Sequence, residues 1–231
     1  MSDITFRSNM TVELLDSMGT DQTIADTARV SSGTSGTQAA NKGLLRMLMR
    51  DRHGSPFEHV LYQFRIECPI FVAREFFRHR IASYNETSAR YRVMEPVFYL
   101  PSLTRPLQQI GKPGSYRFEP GTAEQVAAAQ LAHGRAAKAA WGEYTALLEL
   151  GVAREVARNV LPFSLYTSFN VTMNLRSLLN FLSLRWAHED SKVPTFPLYE
   201  IQEVAKQMDA LARQSCPETF KNFDTNGRIA P

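Results

Sequence analysis

The stretch that most constrains the fold of this chain is an alternating run at residues 60–68. Apolar side chains occupy every second position there, and polar or charged side chains occupy most of the positions between them. A period of two residues is typical of a β-strand that buries one face. Pro69 follows, and a helix tolerates proline at its first position, so a helix is predicted from Pro69 to about Phe77.

Helical and extended patterns are mixed along the rest of the chain without a regular β-α-β order. Apolar spacing and composition predict helices at 22–29, 38–50, 122–150, 174–185 and 199–215. Alternation and composition predict strands at 11–17, 96–101 and 165–173. This mixture indicates an α+β fold, in which a small, mostly antiparallel sheet and several helices form a single compact domain.

Two local predictions concern the flanks of these elements. Asp21 is expected to cap the helix at 22–29, because its carboxylate can accept hydrogen bonds from the free N–H groups of a first turn. The chain from Asn222 onward is polar, and it is predicted to be loose.

Composition places the chain among globular proteins and limits its ligands only weakly. Its 231 residues can bury one core, so residues 1–231 are predicted to form one domain. A formal net charge of +3 suits anionic small molecules and nucleic acids alike. The sequence has no run of about 18 apolar residues, no signal-peptide organisation and no cysteine pattern, so a cytoplasmic protein is expected.

The positive charge of the chain is concentrated at residues 74–92, which contain five arginines, one histidine and two carboxylates. Cations near the end of a helix favour its negative dipole end, which would account for Arg78 to Arg80 alone. It does not account for the polar loop that follows, where Arg90 and Arg92 offer planar guanidinium groups suited to phosphate. The segment is therefore predicted to bind a phosphate-bearing ligand.

The spacing within this basic segment resembles the signature of the flavin-dependent thymidylate synthases. The residues that carry the resemblance are Arg78, His79, Arg80, Ser83, Asn85, Ser88 and Arg90. Four other stretches resemble that family in the same order, namely 55–59, 71–74, 154–158 and 174–177. The resemblance covers about residues 10–215 and leaves 216–231 as a tail.

The resemblance implies reductive methylation of dUMP to dTMP by a homotetramer with its sites at subunit interfaces. FAD reduced by NADPH would deliver hydride, 5,10-methylenetetrahydrofolate would supply the carbon, and neither nucleic acid nor membrane is an expected partner. The implied FAD contacts are His53, Ser55, Glu58, Arg78, His79, Arg80, Ile81, Asn85, Glu86, Asn174, Arg176 and Asn180. The implied dUMP contacts are Glu75, Arg78, Glu86, Thr87, Ser88, Ala89, Arg90, Arg158 and Arg185.

Two of these residues are candidates for a direct role in catalysis. Arg185 resembles the arginine that lies near N3 of the pyrimidine, where a cation favours loss of the N3 proton. Ser88 is the one hydroxyl of the signature that could be a nucleophile, but the sequence pairs it with no His and Asp, so it is expected to bind substrate. Arg158, Arg176 and Arg185 are expected to come from elsewhere in the assembly, because one small domain would have difficulty bringing them to the basic segment.

The chain departs from the family pattern at a few positions. Glu75 stands where glutamine is common, Ala89 where glycine is frequent, and Ser55 where threonine is frequent. His188 is the candidate for a late histidine of the family. His53 and His59 flank Glu58, but this spacing indicates no third ligand, so no metal is predicted.

Two other functions are open on the sequence alone. The same arginines could bind nucleic-acid phosphates while Tyr84 and Tyr91 stack on bases, although the modest net charge opposes this. A flavin-binding oxidase without methylation activity is the second alternative. The polar stripe of Arg176 and Asn180, and the Arg154–Arg158 pair, could also be solvated helix faces without a ligand.

Overall fold

The α+β class is confirmed by the computed structural model, which describes residues 3–231. Its strands are β1 (Thr5–Arg7), β2 (Thr11–Met18), β3 (Leu61–Pro69), β4 (Ser83–Glu86), β5 (Val97–Tyr99), β6 (Gln108–Lys112), β7 (Ser115–Glu119) and β8 (Tyr166–Asn174). Its α-helices are α1 (Asp21–Arg29), α2 (Gln38–Arg50), α3 (Ile70–Phe76), α4 (Ala123–Glu149), α5 (Arg154–Ala157), α6 (Leu175–Arg185), α7 (Tyr199–Ala212) and α8 (Pro217–Thr225). Two 3-10 helices are Ser55–His59 and Arg158–Val160.

The described residues cluster into two compact units. The first unit contains the chain up to Met10, with Glu67–Phe76 and Glu86–Phe169. The second unit contains Thr11–Ile66, Phe77–Asn85 and Asn170–Pro231. No helix within residues 3–231 is long and apolar enough to cross a membrane.

The first unit is built around the helix predicted at 122–150, which is confirmed as α4. Thr122 caps it by accepting from the backbone N–H of Gln125 at 3.2 Å, while the Gln125 side chain accepts from the Thr122 N–H at 2.9 Å. Trp141 on the buried face packs edge-on against Phe98, with ring centroids 6.1 Å apart. In the same unit β1 pairs in parallel with β5, and β6 pairs antiparallel with β7.

The second unit holds most of a four-stranded sheet with the order β2-β3-β8-β4. The alternation predicted from the sequence is confirmed in β3, where Tyr62, Phe64 and Ile66 are fully buried. The strand predicted at 165–173 is confirmed as β8. The helix predicted to start at Pro69 begins at Ile70, because proline also fits the end of a strand, where no ladder hydrogen bond needs its N–H.

Helix α6 connects this sheet to the functional residues, as predicted. Asn174 caps its first turn by accepting from the Ser177 N–H at 2.8 Å. The apolar face of α6 is fully buried and comprises Leu175, Leu178, Leu179, Phe181 and Leu182. Packing of that face leaves the polar side chains of α6 on the opposite side of the helix.

Three local predictions are wrong. The polar loop predicted after Arg80 contains the strand β4. This strand is stabilised by backbone hydrogen bonds to its neighbour β8, and its polar sequence carries no pattern that predicts such pairing. The tail predicted to be loose from Asn222 continues α8 to Thr225, and Arg228 beyond it is buried. Asp21 does not cap its own helix, because Thr20 does so.

Asp21 caps α8 instead. Its carboxylate accepts from the backbone N–H groups of Glu218 at 2.8 Å and Thr219 at 3.0 Å, and from the Thr219 hydroxyl at 2.6 Å. A carboxylate at a helix N-terminus satisfies orphan N–H groups and complements the positive end of the dipole. The cap is therefore tertiary, and its partner is far away along the chain.

Candidate functional site

A cavity of about 790 Å³ in the second unit collects most of the predicted flavin-contacting residues. We call it the α6 cavity. It is lined by Arg52, Glu58, Arg78, His79, Arg80, Ile81, Met173, Asn174, Arg176, Ser177, Asn180, Leu184, Arg185, Ala230 and Pro231. Five of these side chains are arginines and one is a carboxylate, so the cavity is strongly positive.

Helices α3 and α6 position the arginines of this cavity. Arg78 and Arg80 follow the end of α3, whereas Arg176 and Asn180 lie one turn apart on α6. The expectation that one small domain would have difficulty bringing Arg176 and Arg185 to the basic segment is wrong, because both line the same cavity as Arg78 within one chain. Sites shared between subunits stay a prediction. Burial of the leucine face of α6 turns its polar face toward the cavity, which the sequence spacing alone could not establish.

Arg176 is held in place by two acceptors. Its Nη1 donates to Glu58 Oε1 at 2.6 Å, and its Nε donates to the backbone carbonyl of Pro231 at 2.8 Å. Gly54 lies directly against the Arg176 side chain, where a Cβ atom would collide with the guanidinium group. The side chain nevertheless keeps 46% of its surface exposed, so a ligand can reach it.

Arg185 is held against a histidine of the signature. Its Nε donates to His79 Nε2 at 2.9 Å, and the His79 ring packs edge-on against Phe181 with centroids 4.9 Å apart. Burial, followed by the nearby Arg185 charge, lowers the pKa of His79 to about 4. His79 is therefore neutral at pH 7, and accepting at Nε2 assigns its proton to Nδ1.

A second cavity, of about 590 Å³, lies in the first unit around Arg90. We call it the Arg90 cavity. It is lined by Arg90, Tyr91, Val93, Leu148, Gly151, Val152, Ala153, Arg154 and Glu155. Arg90 Nε donates to Glu155 Oε2 at 3.1 Å, and Arg154 donates to the Tyr91 carbonyl at 3.1 Å. Exposed ion pairs of this kind contribute little stability, so a phosphate can replace Glu155 as the partner of Arg90.

The signature residues just before Arg90 form a turn. Ser88 Oγ accepts from the Arg90 N–H at 3.3 Å, which is a turn contact and supplies no general base. Glu86 accepts from the Thr167 hydroxyl at 2.7 Å, and the Thr87 N–H donates to the Ser168 carbonyl at 2.8 Å. These contacts hold the turn in place and leave the role of Ser88 in substrate binding as a prediction.

Several predicted residues lie outside both cavities. His53 and Asn85 are exposed, Ser55 begins a 3-10 helix, and none of the three lines the α6 cavity. Thr87 lines a third, smaller cavity of about 240 Å³, and Arg158 belongs to a 3-10 helix without lining the Arg90 cavity. The family-derived contacts of these residues remain predictions.

One departure from the family pattern, Ala89, is accommodated without strain. Ala89 packs against the hydrophobic core of the first unit, and it is not among the non-glycine residues with positive φ. Alanine therefore replaces glycine there without backbone strain. Glu75 is half-buried within α3. His188 packs against the Trp186 ring at 4.5 Å between centroids and does not line the α6 cavity.

Some residues of the α6 cavity were missed by sequence reasoning. Arg52 has a left-handed backbone with φ of 61°, a conformation that no sequence pattern marks for arginine. Ser177 could have been inferred from its place one residue after Arg176 at the start of α6. Ala230 and Pro231 were missed because the tail was expected to be loose.

Of the two tyrosines on which the nucleic-acid alternative depends, Tyr91 is exposed and Tyr84 is engaged within the fold. The Tyr84 hydroxyl donates to the His79 carbonyl at 2.6 Å, and its ring packs against Phe77 with centroids 5.0 Å apart. Burial raises the pKa of Tyr84 to about 12. Tyr84 is thus engaged within the fold and poorly placed to stack on a base. Within residues 3–231, no group of three or more His, Cys, Asp or Glu is placed to hold a metal ion.

Comparisons with known proteins agree on one family. The family model described as thymidylate synthase complementing protein matches residues 13–218. A flavin-dependent thymidylate synthase of Streptomyces coelicolor is 48% identical over 238 residues, which cover 99% of this chain and 96% of that protein. Another from Tropheryma whipplei is 46% identical over 237 residues, which cover 99% of this chain and 98% of that protein.

A solved structure supports the same relationship. The UMP/dUMP methylase PolB from Streptomyces cacaoi, bound with 5-Br dUMP, superposes with a TM-score of 0.93 at 42% identity. The superposition covers 99% of this chain and 100% of that chain. Together with the signature at residues 78–90, these matches establish that the chain belongs to the family of flavin-dependent thymidylate synthases.

Proposed function

We propose that this chain is a flavin-dependent thymidylate synthase that methylates dUMP to dTMP, with FAD bound in the α6 cavity. The observation that carries the proposal is the meeting of the signature residues Arg78 to Arg80 with Arg176 and Arg185 in one positive cavity. A relative that is 48% identical over nearly the whole chain carries the same activity in its name. NADPH, 5,10-methylenetetrahydrofolate, a homotetramer and a cytoplasmic location belong to the proposal as well.

The α6 cavity fits a flavin dinucleotide on chemical grounds. Its volume of about 790 Å³ lies within the usual range of small-molecule pockets. Its arginines suit the pyrophosphate of FAD, because guanidinium groups form charge-assisted, bidentate hydrogen bonds to phosphate oxygens. Asn174, Ser177 and Asn180 add neutral donors and acceptors. When bound, FAD supplies the hydride transfer, which no side chain can perform.

The nucleotide phosphate is proposed to bind Arg90, with Ser88 and Arg158 as further contacts. Arg90 already lies in a cavity with Arg154, and its partner Glu155 is exposed enough to be exchanged for a phosphate. The PolB structures bound with 5-Br UMP and 5-Br dUMP support a nucleoside monophosphate as the ligand class. This assignment makes the arginines of the Arg90 cavity responsible for the affinity of the protein for dUMP.

Arg185 is proposed to act on the pyrimidine ring. A fixed cation next to N3 stabilises the deprotonated ring, which is the more nucleophilic form at C5. His79 supports this role because it is neutral at pH 7, with a pKa of about 4, and accepts the Arg185 Nε–H. The pair thus presents one positive charge instead of two, in a defined orientation.

The proposal is tested by the visible spectrum and by turnover of the purified protein. We expect a yellow protein whose flavin absorption is bleached by NADPH, and release of tritium from dUMP labelled at C5 that requires both NADPH and the folate. A colourless protein that cannot be reconstituted with FAD would refute the proposal. Bleaching by NADPH without tritium release would instead favour the flavin-binding oxidase.

A further inference from the structure

One arginine outside the proposed catalytic machinery has unusually strong packing and pairing. Arg228 has no exposed side-chain surface, and its guanidinium group lies between the rings of Trp186 and Phe223, 4.6 and 4.7 Å from their centroids. It donates to Asp224 at 2.6 Å and to Asp209 at 3.1 Å. Burying a charge destabilises a protein unless the charge is paired, so such an arrangement holds its residue firmly in one place.

A second arginine completes the charge balance of this cluster. Arg213 donates to Asp209 and lies 2.7 Å from the nearest Asp224 carboxylate oxygen. Two arginines and two aspartates therefore neutralise each other and link α7, α8 and the segment after α8. Arg228 also has a left-handed backbone, with φ of 53°, a conformation that costs a non-glycine residue free energy. The surrounding contacts outweigh that cost.

The segment that begins at Arg228 reaches the α6 cavity. The Pro231 carbonyl accepts from Arg176 Nε at 2.8 Å, and Ala230 and Pro231 line the cavity. Arg176 lies in the first turn of α6, whereas Trp186, the ring over Arg228, immediately follows its last turn. Residues 228–231 therefore contact the first turn of α6 and the residue that follows its last turn.

We propose that residues 228–231 form a strap along α6 that positions Arg176 for the flavin, with Arg228 as its anchor. This inference rests on the proposed function for its ligand. The Pro231 carbonyl fixes Nε of Arg176 and Glu58 fixes Nη1, so the guanidinium group is oriented before the ligand arrives. A side chain that is already ordered loses less conformational entropy on binding, which raises affinity. Arg228 is thus a positioning residue and makes no contact with the ligand.

The direct test removes the strap but keeps its anchor. A chain that lacks residues 229–231 retains Arg228 and its aspartates but loses the buried Pro231, so we expect its unfolding temperature to fall by less than about 5 °C. We expect its dissociation constant for FAD to rise about tenfold, because Arg176 loses one fixed acceptor. FAD titration followed by flavin fluorescence measures this constant, and an unchanged value in the folded, truncated chain would overturn the proposal.

Substitutions of the anchor give the second arm of the test. Arg228→Met leaves both aspartates with Arg213 alone, and we expect weaker FAD binding together with an unfolding temperature lowered by roughly 10 °C. Arg228→Lys keeps the charge and should restore part of both properties. Lys221→Met on the exposed side of α8 is the matched control and should change neither. Wild-type FAD affinity in Arg228→Met, despite lowered stability, would contradict a positioning role.

Hydrogen exchange in the flavin-free protein separates this inference from the proposed function. In the chain lacking residues 229–231, we expect faster exchange of backbone amides at residues 54–59 and in the first turn of α6. If the wild-type protein binds no flavin, the proposed function fails, but this exchange result still decides whether the strap exists. Unchanged exchange in both regions would refute the strap.

Discussion

Arg176 in the α6 cavity and Arg90 in the Arg90 cavity are both proposed to hold phosphate groups. The contacts that hold the two side chains before a ligand binds are different. Arg176 is fixed by Glu58, by the Pro231 carbonyl and by packing against Gly54. Arg90 has one carboxylate partner, and that pair leaves 54% and 55% of its side chains exposed, against 46% and 43% for the Arg176–Glu58 pair. The α6 cavity is thus arranged before its ligand binds, whereas the Arg90 cavity holds a partner that the ligand can replace.

The difference matches the ligands assigned to each cavity. A tightly held cofactor benefits from oriented arginines, because orientation is established once, during folding. A substrate must bind and its product must leave at every turnover. A carboxylate that pairs again with the arginine helps the product to dissociate. Four predictions test whether the two cavities divide their work in this way, in order of decreasing effect.

The largest effect is expected at Arg185. Arg185→Ala should keep FAD bound and lower kcat by about 100-fold or more, because removing one preorganised charge that stabilises a developing anion has that magnitude. Tritium release from labelled dUMP measures turnover, and flavin absorption measures cofactor content. The kcat of Arg185→Lys, which retains the charge, should lie between those of the wild type and Arg185→Ala. Wild-type turnover in Arg185→Ala would refute the assigned role.

Arg176 should affect FAD affinity and not the chemical step. Arg176→Met is expected to raise the dissociation constant of FAD by about 10- to 100-fold, the range for one charge-assisted hydrogen bond. At saturating FAD, kcat should stay within about twofold of wild type. Arg117→Met on the exposed β7 strand is the control and should bind FAD normally. Loss of kcat with unchanged FAD affinity would contradict the role assigned to Arg176.

The neutral state of His79 predicts a pH dependence of stability. Its folded-state pKa is about 4 against an ordinary 6.5, so the unfolded chain binds more protons between these values. Stability associated with neutral His79 is complete above pH 6.5 and is lost as pH falls toward 4. Allowing for partial exposure, the loss should be about 1–2 kcal/mol.

Urea unfolding of the wild type and His79→Gln between pH 4.5 and 7 measures this loss. Glutamine can still accept from Arg185 but does not titrate, so its stability should fall less steeply with acid. Equal slopes for the two proteins would contradict the assignment of a neutral, partly buried His79.

The smallest effect is expected at Glu155. Glu155→Gln removes the competitor for Arg90, so dUMP should bind about threefold more tightly by calorimetry, a change typical of one exposed charge pair. The free energy of unfolding should change by less than about 0.5 kcal/mol. Glu149→Gln, on the exposed end of α4, serves as the control. Weaker dUMP binding in Glu155→Gln would show that Glu155 orients Arg90 and does not compete for it.

The sequence predicted elements whose cause is local. The period of two in β3, the alanine-rich composition of α4 and the leucine spacing of α6 are each properties of a short window, and all three are confirmed. The β4 strand was missed because its hydrogen-bonding partner is β8, and a short polar edge strand has no strong pattern of its own.

The site was predictable to the extent that the family signature determines it. The signature led to Arg78, His79 and Arg80, and resemblance led to Arg176 and Arg185, which the structure brings together. Arg52 and the tail could not be predicted, because the reasons for their positions are a left-handed backbone and contacts with distant residues. In the sequence Arg228 is one charged residue in a polar tail. Its burial could not be predicted, because it depends on contacts with Asp209 and Trp186.

The cap that Asp21 provides for α8 has a consequence for how the protein is made. Its hydrogen bonds join residues 197 and 198 positions apart, so Asp21 leaves the ribosome long before α8 does. Because contacts of such long range slow folding, we expect the second unit to complete its structure only after α8 has been synthesised. Residues 86–169 of the first unit emerge earlier and form one continuous stretch, so they can start folding while the second unit still lacks α8.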